Sequence, residues 1–268
     1  MSDEAVSQQP PISPSSDDVL IRVSNVRKSY GNKVVLKDIS FEVRAHETLG
    51  IIGISGCGKS TLLKIISNLE TPDSGSVELS DPNYSLVFQY SALFDSLNVF
   101  ENVAFSLLER PDRDYEKALI QSNREHRKYS QQEIKAIVAE KLQMVGLEGI
   151  ENRYPNELSG GMQKRVSFAR AIVSRPRIIL YDEPTAGLDP IASTVIEDYI
   201  RKLRDDLSAA SVVVTHQFST IHRTDRLILL HDGEICWEGT PQELFRSRNP
   251  YARQFSQASL EGPMTDQE

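Results

Sequence analysis

The sequence has little cysteine and no long hydrophobic run. Its 268 residues include only two cysteines, Cys57 and Cys236, too far apart in sequence for a metal-binding or redox spacing. We therefore expect free thiols and a reducing compartment. No apolar stretch approaches the roughly 18 residues that cross a bilayer, and the longest candidates, such as RLILLH, have the length of a strand. These absences indicate a soluble chain or a peripheral subunit.

Positive charge is also scarce. The formal net charge is -8, whereas free-standing nucleic-acid binders usually carry a basic excess. We therefore expect no nucleic-acid partner. Residues 1–17 contain no Lys or Arg, so they lack the basic start of a signal peptide and the arginines of a transit peptide. Their polar composition predicts a disordered leader.

Apolar strand-like and helix-like patterns alternate along most of the chain. Alternating strands and helices predict an α/β fold with a parallel sheet, and two early strand patterns around YGNK predict a small β subdomain near the N-terminus. From about Gln89 to Glu157 the pattern is mostly helical, with a capping box at Ser130 and Glu133. We interpret residues 90–160 as an inserted helical subdomain. The predicted strands are 19–26, 34–43, 49–53, a strand after TPDSG, 84–88, IILYD, SVVVT and RLILLHDGEI.

A glycine-rich loop lies between the third strand pattern and a helix pattern. Gly53-x4-Gly58-Lys59-Ser60 matches the P-loop motif in the strand-to-helix context that the motif requires. Backbone N–H groups of such a loop surround phosphate oxygens, and the helix N-terminus adds its dipole. Lysine carries charge to the β and γ phosphates, and the hydroxyl serves Mg²⁺. The predicted nucleotide contacts are Gly53, Ser55, Gly56, Cys57, Gly58, Lys59, Ser60 and Thr61.

Two acids end the apolar strand IILYD. Asp182 lies at the strand tip, where ligands bind in open α/β sheets, and can hold Mg²⁺ with Ser60. Glu183 follows and points differently, so we predict that it is the general base that polarises the attacking water.

A second serine–glycine motif, LSGGMQ, precedes another helix. Ser159, Gly160 and Gly161 at a helix N-terminus predict a second anion site, although one nucleotide needs only one phosphate loop. The order of P-loop, LSGGMQ, IILYDEP, AGLD and a histidine after a strand resembles the nucleotide-binding subunits of ABC transporters over roughly residues 19–245. The resemblance implies a P-loop NTPase core with an N-terminal antiparallel β subdomain and a helical insertion. We assign residues 18–250 to this domain and 251–268 to a C-terminal tail.

The resemblance implies further site residues. Tyr30, in KSYG, is similar to the aromatic residue that stacks on adenine, and Gln89 is similar to the glutamine that contacts Mg²⁺ and water. Asp189 in AGLDP resembles the aspartate that links two sites across a dimer. His216 resembles the switch histidine that contacts the γ phosphate.

The mechanism that the resemblance implies needs two chains. They would close head-to-tail around two MgATP, each held by one P-loop and the other chain's Ser159-Gly160-Gly161, and hydrolysis would open the homodimer. A separate membrane permease would insert a short helix beside Gln89, which would place the chain on the cytoplasmic face of a membrane as a peripheral subunit.

Three short stretches resemble the ATPases of Mla-type lipid transporters, which work with MCE-domain proteins. They are ALFDSLNVFENV, YDEPTAGLDPI and the tail RQFSQASLEGP. The charged segment 109–133 is additional to that group; its six acids and six bases predict a solvated helical face or a partner contact. Two alternatives stay open: the ATPase of a polar-nutrient importer such as one for amino acids, and a soluble ABC ATPase such as an iron–sulfur assembly factor.

Overall fold

The computed structural model describes residues 18–108 and 129–265. The predicted leader 1–17 and most of the charged segment 109–133 lie outside these residues. Within the described ranges, no helix is long and apolar enough to cross a membrane.

A three-stranded antiparallel sheet forms the N-terminal part. Its strands are β1 (Val19–Tyr30), β2 (Lys33–Arg44) and β4 (Ser74–Leu79), in the order β2-β1-β4. β1 and β2 form a hairpin through a two-residue turn, in which Gly31 has a φ of 58°. That turn needs the left-handed conformation, which glycine adopts without strain. The predicted antiparallel β subdomain is confirmed.

A six-stranded sheet carries the centre of the molecule. Its order is β5 (Tyr84–Val87), β6 (Ile178–Asp182), β7 (Ala210–Val214), β3 (Thr48–Ile52), β8 (Arg226–His231) and β9 (Glu234–Gly239). All pairs are parallel except β8 with β9. Every residue of β3 and β7 is buried, which explains why both strands are apolar apart from Thr48 and Ser211. The single strand predicted for RLILLHDGEI is two strands, β8 and the start of β9. Asp232 and Gly233 both have a positive φ and form the hairpin turn between them.

Eight α-helices and one 3₁₀ helix, Pro155–Glu157, are described in residues 18–108 and 129–265. Helices α2 (Val99–Leu108), α3 (Gln131–Met144) and α4 (Gly160–Ile172) form the helical subdomain, and the predicted capping box at Ser130 and Glu133 is present at the start of α3. Residues 89–98, at the start of the stretch predicted as mostly helical, contain no helix, because the Asn102 side chain donates to the backbone oxygens of Phe94, Leu97 and Asn98 and holds an irregular loop. The helices are α1 (Lys59–Ile66), α2 (Val99–Leu108), α3 (Gln131–Met144), α4 (Gly160–Ile172), α5 (Pro190–Leu207), α6 (Phe218–Ile221), α7 (Pro241–Leu244) and α8 (Pro250–Gln257).

The C-terminal residues pack on the central sheet. Ala252 of α8 and Met264 are buried against Ile52 and Leu229 of strands β3 and β8. The segment predicted as a tail from residue 251 thus begins inside a packed helix. Hydrophobic burial fixes this segment beside the strand that leads into the P-loop.

Candidate nucleotide-binding site

The site assembles where parallel strands end. The P-loop follows β3, Gln89 follows β5, Glu183 follows β6 and His216 follows β7. Because neighbouring parallel strands end at one edge of a sheet, these four segments meet there. They line a cleft of about 710 Å³. Its wall comprises Tyr30, Lys33, Val35, Gly53, Ile54, Ser55, Gly56, Gly58, Lys59, Ser60, Thr61, Gln89, Glu183, His216 and Phe255.

Glycine is required at two positions of the P-loop. A Cβ atom at Gly53 would lie 2.2 Å from the backbone oxygen of Leu230, and one at Gly58 would lie 2.9 Å from Leu36 Cδ2. Gly58 also has a φ of 108°, which side chains rarely tolerate. By contrast, a Cβ at Gly56 would meet nothing described within 4 Å. The loop is therefore packed against the core on one side and open to the cleft on the other.

Lys59 is held at the base of this loop. Its side chain is buried, and Nζ donates hydrogen bonds to the backbone oxygens of Gly53 and Ile54, each at 2.8 Å. Both acceptors belong to the P-loop, so the ammonium group stays at the phosphate-facing loop. A cation fixed in this way is a point charge suited to phosphate oxygens.

Ser60 and Asp182 lie together and fit a magnesium ion. Ser60 Oγ donates to Asp182 Oδ1 at 3.3 Å. Burial raises the pKa of Asp182, an effect that the Ser60 hydrogen bond partly offsets. Within the described part of the chain, no three His, Cys, Asp or Glu side chains could hold a metal by themselves. Two oxygen donors beside a phosphate site suit Mg²⁺, which keeps several waters and takes phosphate oxygens as ligands.

Glu183 combines burial, strain and a free oxygen. Its φ is 47°, an uncommon value for a residue with a side chain. Oε1 lies 2.8 Å from His216 Nδ1, and the buried Oε2 has no hydrogen-bond partner among the residues that the structure describes. Backbone strain at a site is retained where the surroundings fix it. Here the amide of Glu183 donates to the Val214 oxygen at 2.9 Å, which anchors it to strand β7.

Ser159, Gly160 and Gly161 do not line the cleft of their own chain. They line a separate groove of about 1140 Å³, together with Asp189 and the loop that begins at Gln89. Gln89 borders both cavities. Ser159 caps helix α4 by accepting a hydrogen bond from the Met162 amide at 3.3 Å. The P-loop and the serine–glycine motif therefore occupy different surfaces of one chain.

The structure changes the interpretation of Cys57. Its thiol is 7% exposed and belongs to the core between the two sheets, so its side chain does not line the cleft as predicted. The cause is the loop geometry, which turns Sγ toward Gly53 and the core. Only the backbone of Cys57 is left to serve a phosphate.

Four residues of the cleft wall were not predicted, and one of them, Ile54, lies within the P-loop itself. Lys33 and Val35 come from the β1–β2 hairpin, and Phe255 comes from helix α8. The first two lie close to Tyr30 in sequence, so a search around that residue could have found them. No sequence signal places Phe255 there, because its position depends on the packing of α8 on the sheet.

A family model described as "ABC transporter" matches residues 36–186, more than half of the chain. The chain belongs to this family. It is an ABC ATPase, in which ATP hydrolysis is coupled to transport. The predicted fold class is confirmed by the ATP-binding cassette MJ0796 in a dimeric post-hydrolysis state bound to ADP and Pi. That structure has a TM-score of 0.71 and 32% identity, over 83% of this chain and 99% of MJ0796.

Named relatives of this ABC ATPase differ in what they serve. The protein Trigalactosyldiacylglycerol 3, chloroplastic, of Arabidopsis thaliana is 45% identical over 93% of this chain and 77% of that protein. The sulfate/thiosulfate import ATP-binding protein CysA of Nitrosomonas europaea is 36% identical, over 88% of this chain and 65% of that protein.

Proposed function

We propose that two copies of this chain close around two MgATP, with each ATP held by the P-loop of one copy and by Ser159-Gly160-Gly161 of the other. The observation that carries the proposal is the separation of the two motifs within one chain. Gly160 is exposed, and a Cβ there would meet nothing described within 4 Å. A backbone left this open at a helix N-terminus can approach a phosphate supplied from outside. The dimeric ADP-bound MJ0796 supports this arrangement.

In this proposal Glu183 acts as the general base. Its carboxylate accepts a proton from the water that attacks the γ phosphorus, while the bond from that phosphorus to the β–γ bridging oxygen breaks. His216 holds Oε1 and so fixes the carboxylate, and its exposed ring faces the cleft. Lys59 binds the phosphate oxygens, and Tyr30, which is 48% exposed at the cleft wall, stacks on the adenine.

Magnesium, when bound by Ser60 and Asp182, would neutralise charge on the β and γ phosphate oxygens. Gln89 borders both the cleft and the groove, so binding in either cavity can change its position. We assign it the role of contacting the metal's water shell from the loop beside the groove.

The dimer is tested with Glu183→Gln, which keeps the shape of the side chain but cannot take the proton. We expect this variant to elute as a dimer in size-exclusion chromatography with MgATP and as a monomer without it. The double variant Lys59→Ala/Glu183→Gln is the control and should stay monomeric, because it lacks the phosphate contact. Absence of an ATP-dependent dimer in Glu183→Gln would refute the two-chain site.

The groove is proposed to bind a membrane permease. Its wall includes apolar side chains that are unusually exposed: Tyr90 and Ile191 are each 80% exposed, and Leu93 and Val195 lie beside them. A groove with an apolar lining accepts a short amphipathic helix. We therefore propose that a helix of the permease enters beside Gln89 and holds the chain at the cytoplasmic face of the membrane. Tyr90→Ala should weaken binding to the permease and leave the ATP-dependent dimer of Glu183→Gln intact, because Tyr90 is exposed on the Gln89 loop and away from the serine–glycine motif in sequence.

The proposed cargo is a lipid, with an MCE-type protein as a further partner. The supporting observations are the three stretches that resemble Mla-type ATPases and the 45% identity to a relative whose name is that of a galactolipid. A polar nutrient is the second candidate, which the identity to the sulfate/thiosulfate import protein favours.

Purification in mild detergent discriminates between these candidates. We expect a multi-span permease and an MCE-domain protein to accompany the chain, and deletion of its gene to alter the distribution of envelope lipids. Recovery of a periplasmic-type solute receptor, with impaired nutrient uptake, would favour the importer. Recovery of no membrane protein would favour a soluble ABC ATPase such as an iron–sulfur assembly factor.

A further inference from the structure

Arg170 connects helix α4 to the loop that begins at Gln89. Its Nη1 donates to the backbone oxygen of Ala92 at 2.9 Å, and its Nη2 donates to that of Ser91 at 3.4 Å. The acceptors follow Gln89 by two and three residues. Ser159 begins the same helix, so one side chain joins the helix of the serine–glycine motif to the loop of the cleft.

The environment of Arg170 is unusual for an arginine. The side chain is half-buried, and no carboxylate forms a salt bridge with it within the residues described. Burial lowers its pKa, as expected for a cation without a carboxylate partner. The cost of desolvating the guanidinium group is offset by the carbonyl groups of Ser91 and Ala92 and by the ring of Phe94, whose centroid lies 5.7 Å from Cζ. An apolar residue would avoid this desolvation cost, so stability alone does not account for an arginine at this position.

The loop that Arg170 holds is conformationally strained. Ala92 has a φ of 48°, in the left-handed region that disfavours residues with a Cβ. Phe94 is fixed from the other side by Phe105 of helix α2, at 4.7 Å between ring centroids. Such a backbone conformation persists only where its surroundings enforce it. The hydrogen bond from Arg170 to the Ala92 oxygen is one such enforcement.

We propose that Arg170 is a positioning residue that couples the two ATP sites of the dimer. Gln89 borders the cleft that binds this chain's own ATP, whereas Ser159 serves the ATP of the other copy. A shift of the Gln89 loop on ATP binding is carried by Arg170 to helix α4, and so to the opposite site. This inference rests on the two-chain site proposed above.

The same helix offers a matched control. Arg165 of α4 also donates to two backbone oxygens, those of Val145 and Gly146, each at 3.3 Å. These acceptors belong to the turn after α3 and not to the Gln89 loop. Loss of Arg165 therefore removes an equivalent contact within the helical subdomain and leaves the connection between the sites in place.

The experiment measures ATP hydrolysis by the purified full-length chain against MgATP concentration. With two coupled sites, wild-type protein should have a Hill coefficient between about 1 and 2. Arg170→Gln should lower it to about 1 and should reduce kcat about tenfold, while the Kd for a fluorescent ATP analogue stays within about twofold. Arg170→Lys, which keeps one charged donor, should restore part of the cooperativity, and Arg165→Gln should keep the wild-type Hill coefficient.

A structural role alone would give a different pattern. Equal loss of cooperativity in Arg165→Gln, unchanged cooperativity in Arg170→Gln, or a wild-type Hill coefficient of about 1 would each overturn the proposal. If Arg170→Gln does not fold, as judged by thermal unfolding, Arg170→Lys decides: its Hill coefficient should lie below that of the wild type, and a Hill coefficient equal to that of the wild type would overturn the proposal. The dimer test distinguishes failure of the coupling from failure of the two-chain site. If Glu183→Gln forms an ATP-dependent dimer, an overturning result in the Hill coefficients refutes only the coupling through Arg170. If that dimer does not form, the two-chain site is refuted as well.

Discussion

The two phosphate-binding ends of this chain differ in how complete they are. At the P-loop, Gly58 is buried against Leu36, and Lys59 is tied to the loop's own carbonyl groups. At the serine–glycine motif, Ser159 and Gly160 are exposed. Both motifs start a helix, so both have the same backbone chemistry. The difference indicates that the P-loop site is built within the chain, whereas the other end lacks the surface that would enclose a phosphate.

Lys59→Ala tests the complete end and should have the largest effect. The substitution removes the fixed cation from the phosphate oxygens, so we expect ATP hydrolysis to fall by at least about 100-fold. Lys202→Ala, on the exposed face of helix α5, is the control and should hydrolyse ATP normally. Near-normal hydrolysis by Lys59→Ala, with the control folded equally well, would contradict the P-loop assignment.

Gly58→Ala and Gly160→Ala sharpen the comparison, because the same methyl group is added at each end. At Gly58 it meets Leu36 and a strained φ of 108°, so the free energy of unfolding should fall by roughly 1–3 kcal/mol. At Gly160 it should change by no more than about 0.5 kcal/mol, yet hydrolysis should drop because the methyl group separates the helix N-terminus from the partner's ATP. Chemical denaturation and ATPase assays check both. A stable, fully active Gly160→Ala would count against a phosphate contact there.

The pH dependence of magnesium binding tests Asp182. An exposed aspartate has a pKa of about 3.9. Because the pKa of Asp182 is raised, protons compete with Mg²⁺ for its carboxylate at a higher pH than they would at an exposed aspartate. The affinity for Mg²⁺ in the presence of a non-hydrolysable ATP analogue should therefore fall as pH is lowered through that raised pKa. Asp182→Asn should bind Mg²⁺ more weakly and lose this pH dependence. The same steep dependence in Asp182→Asn would assign it to another group.

The stability of the metal-free protein should depend on pH in the opposite direction. Because folding raises the pKa of Asp182, its contribution to the free energy of unfolding is complete below the unfolded-state pKa and is lost as pH rises through the folded-state pKa. Mg²⁺ with nucleotide should therefore stabilise the protein most above that pH. Thermal unfolding with and without MgADP across this range measures the difference.

The smallest effect concerns Cys57. Burial raises the pKa of this thiol, and Cys236, whose burial raises its pKa to about 12, is no more reactive. Maleimide should therefore label both thiols at least about tenfold more slowly than a free thiol, and MgATP should slow Cys57 further by holding the P-loop closed. Labelled Cys57 should no longer bind ATP. Rapid labelling of Cys57 that nucleotide does not change would contradict the burial of its thiol in the core beneath the P-loop.

Sequence patterns predicted those parts of the site that depend on local chemistry. The P-loop and the two acids after β6 follow from residue types at strand ends, the histidine after β7 follows from the family resemblance, and the structure brings them together. The direction of the Cys57 thiol, the loop conformation at residues 89–98 and the strain at Glu183 could not be predicted. Each depends on tertiary contacts: the core beneath the P-loop, the amide of Asn102, and the bond from Glu183 to Val214.

The C-terminal segment shows the same limit. Its pattern suggested a tail, because eight residues of α8 with few apolar side chains give little signal alone. Burial of Ala252 and Met264 on the sheet places Phe255 at the cleft. Phe255 also packs on Phe218, which is two residues after His216 in the sequence; the two ring centroids are 6.0 Å apart. Such long-range packing is visible only in three dimensions.

Mixed dimers test directly whether Ser159 binds the ATP that is held by the P-loop of the other copy. Lys59→Ala inactivates the P-loop, and Ser159→Arg places bulk where the partner's γ phosphate would lie, so each homodimer should be inactive. In a dimer of one Lys59→Ala chain and one Ser159→Arg chain, both lesions fall on one shared site and the other site is intact. Mixing the two variants should therefore restore part of the hydrolysis. If Ser159 served its own P-loop, every site would carry a lesion, and no hydrolysis would return.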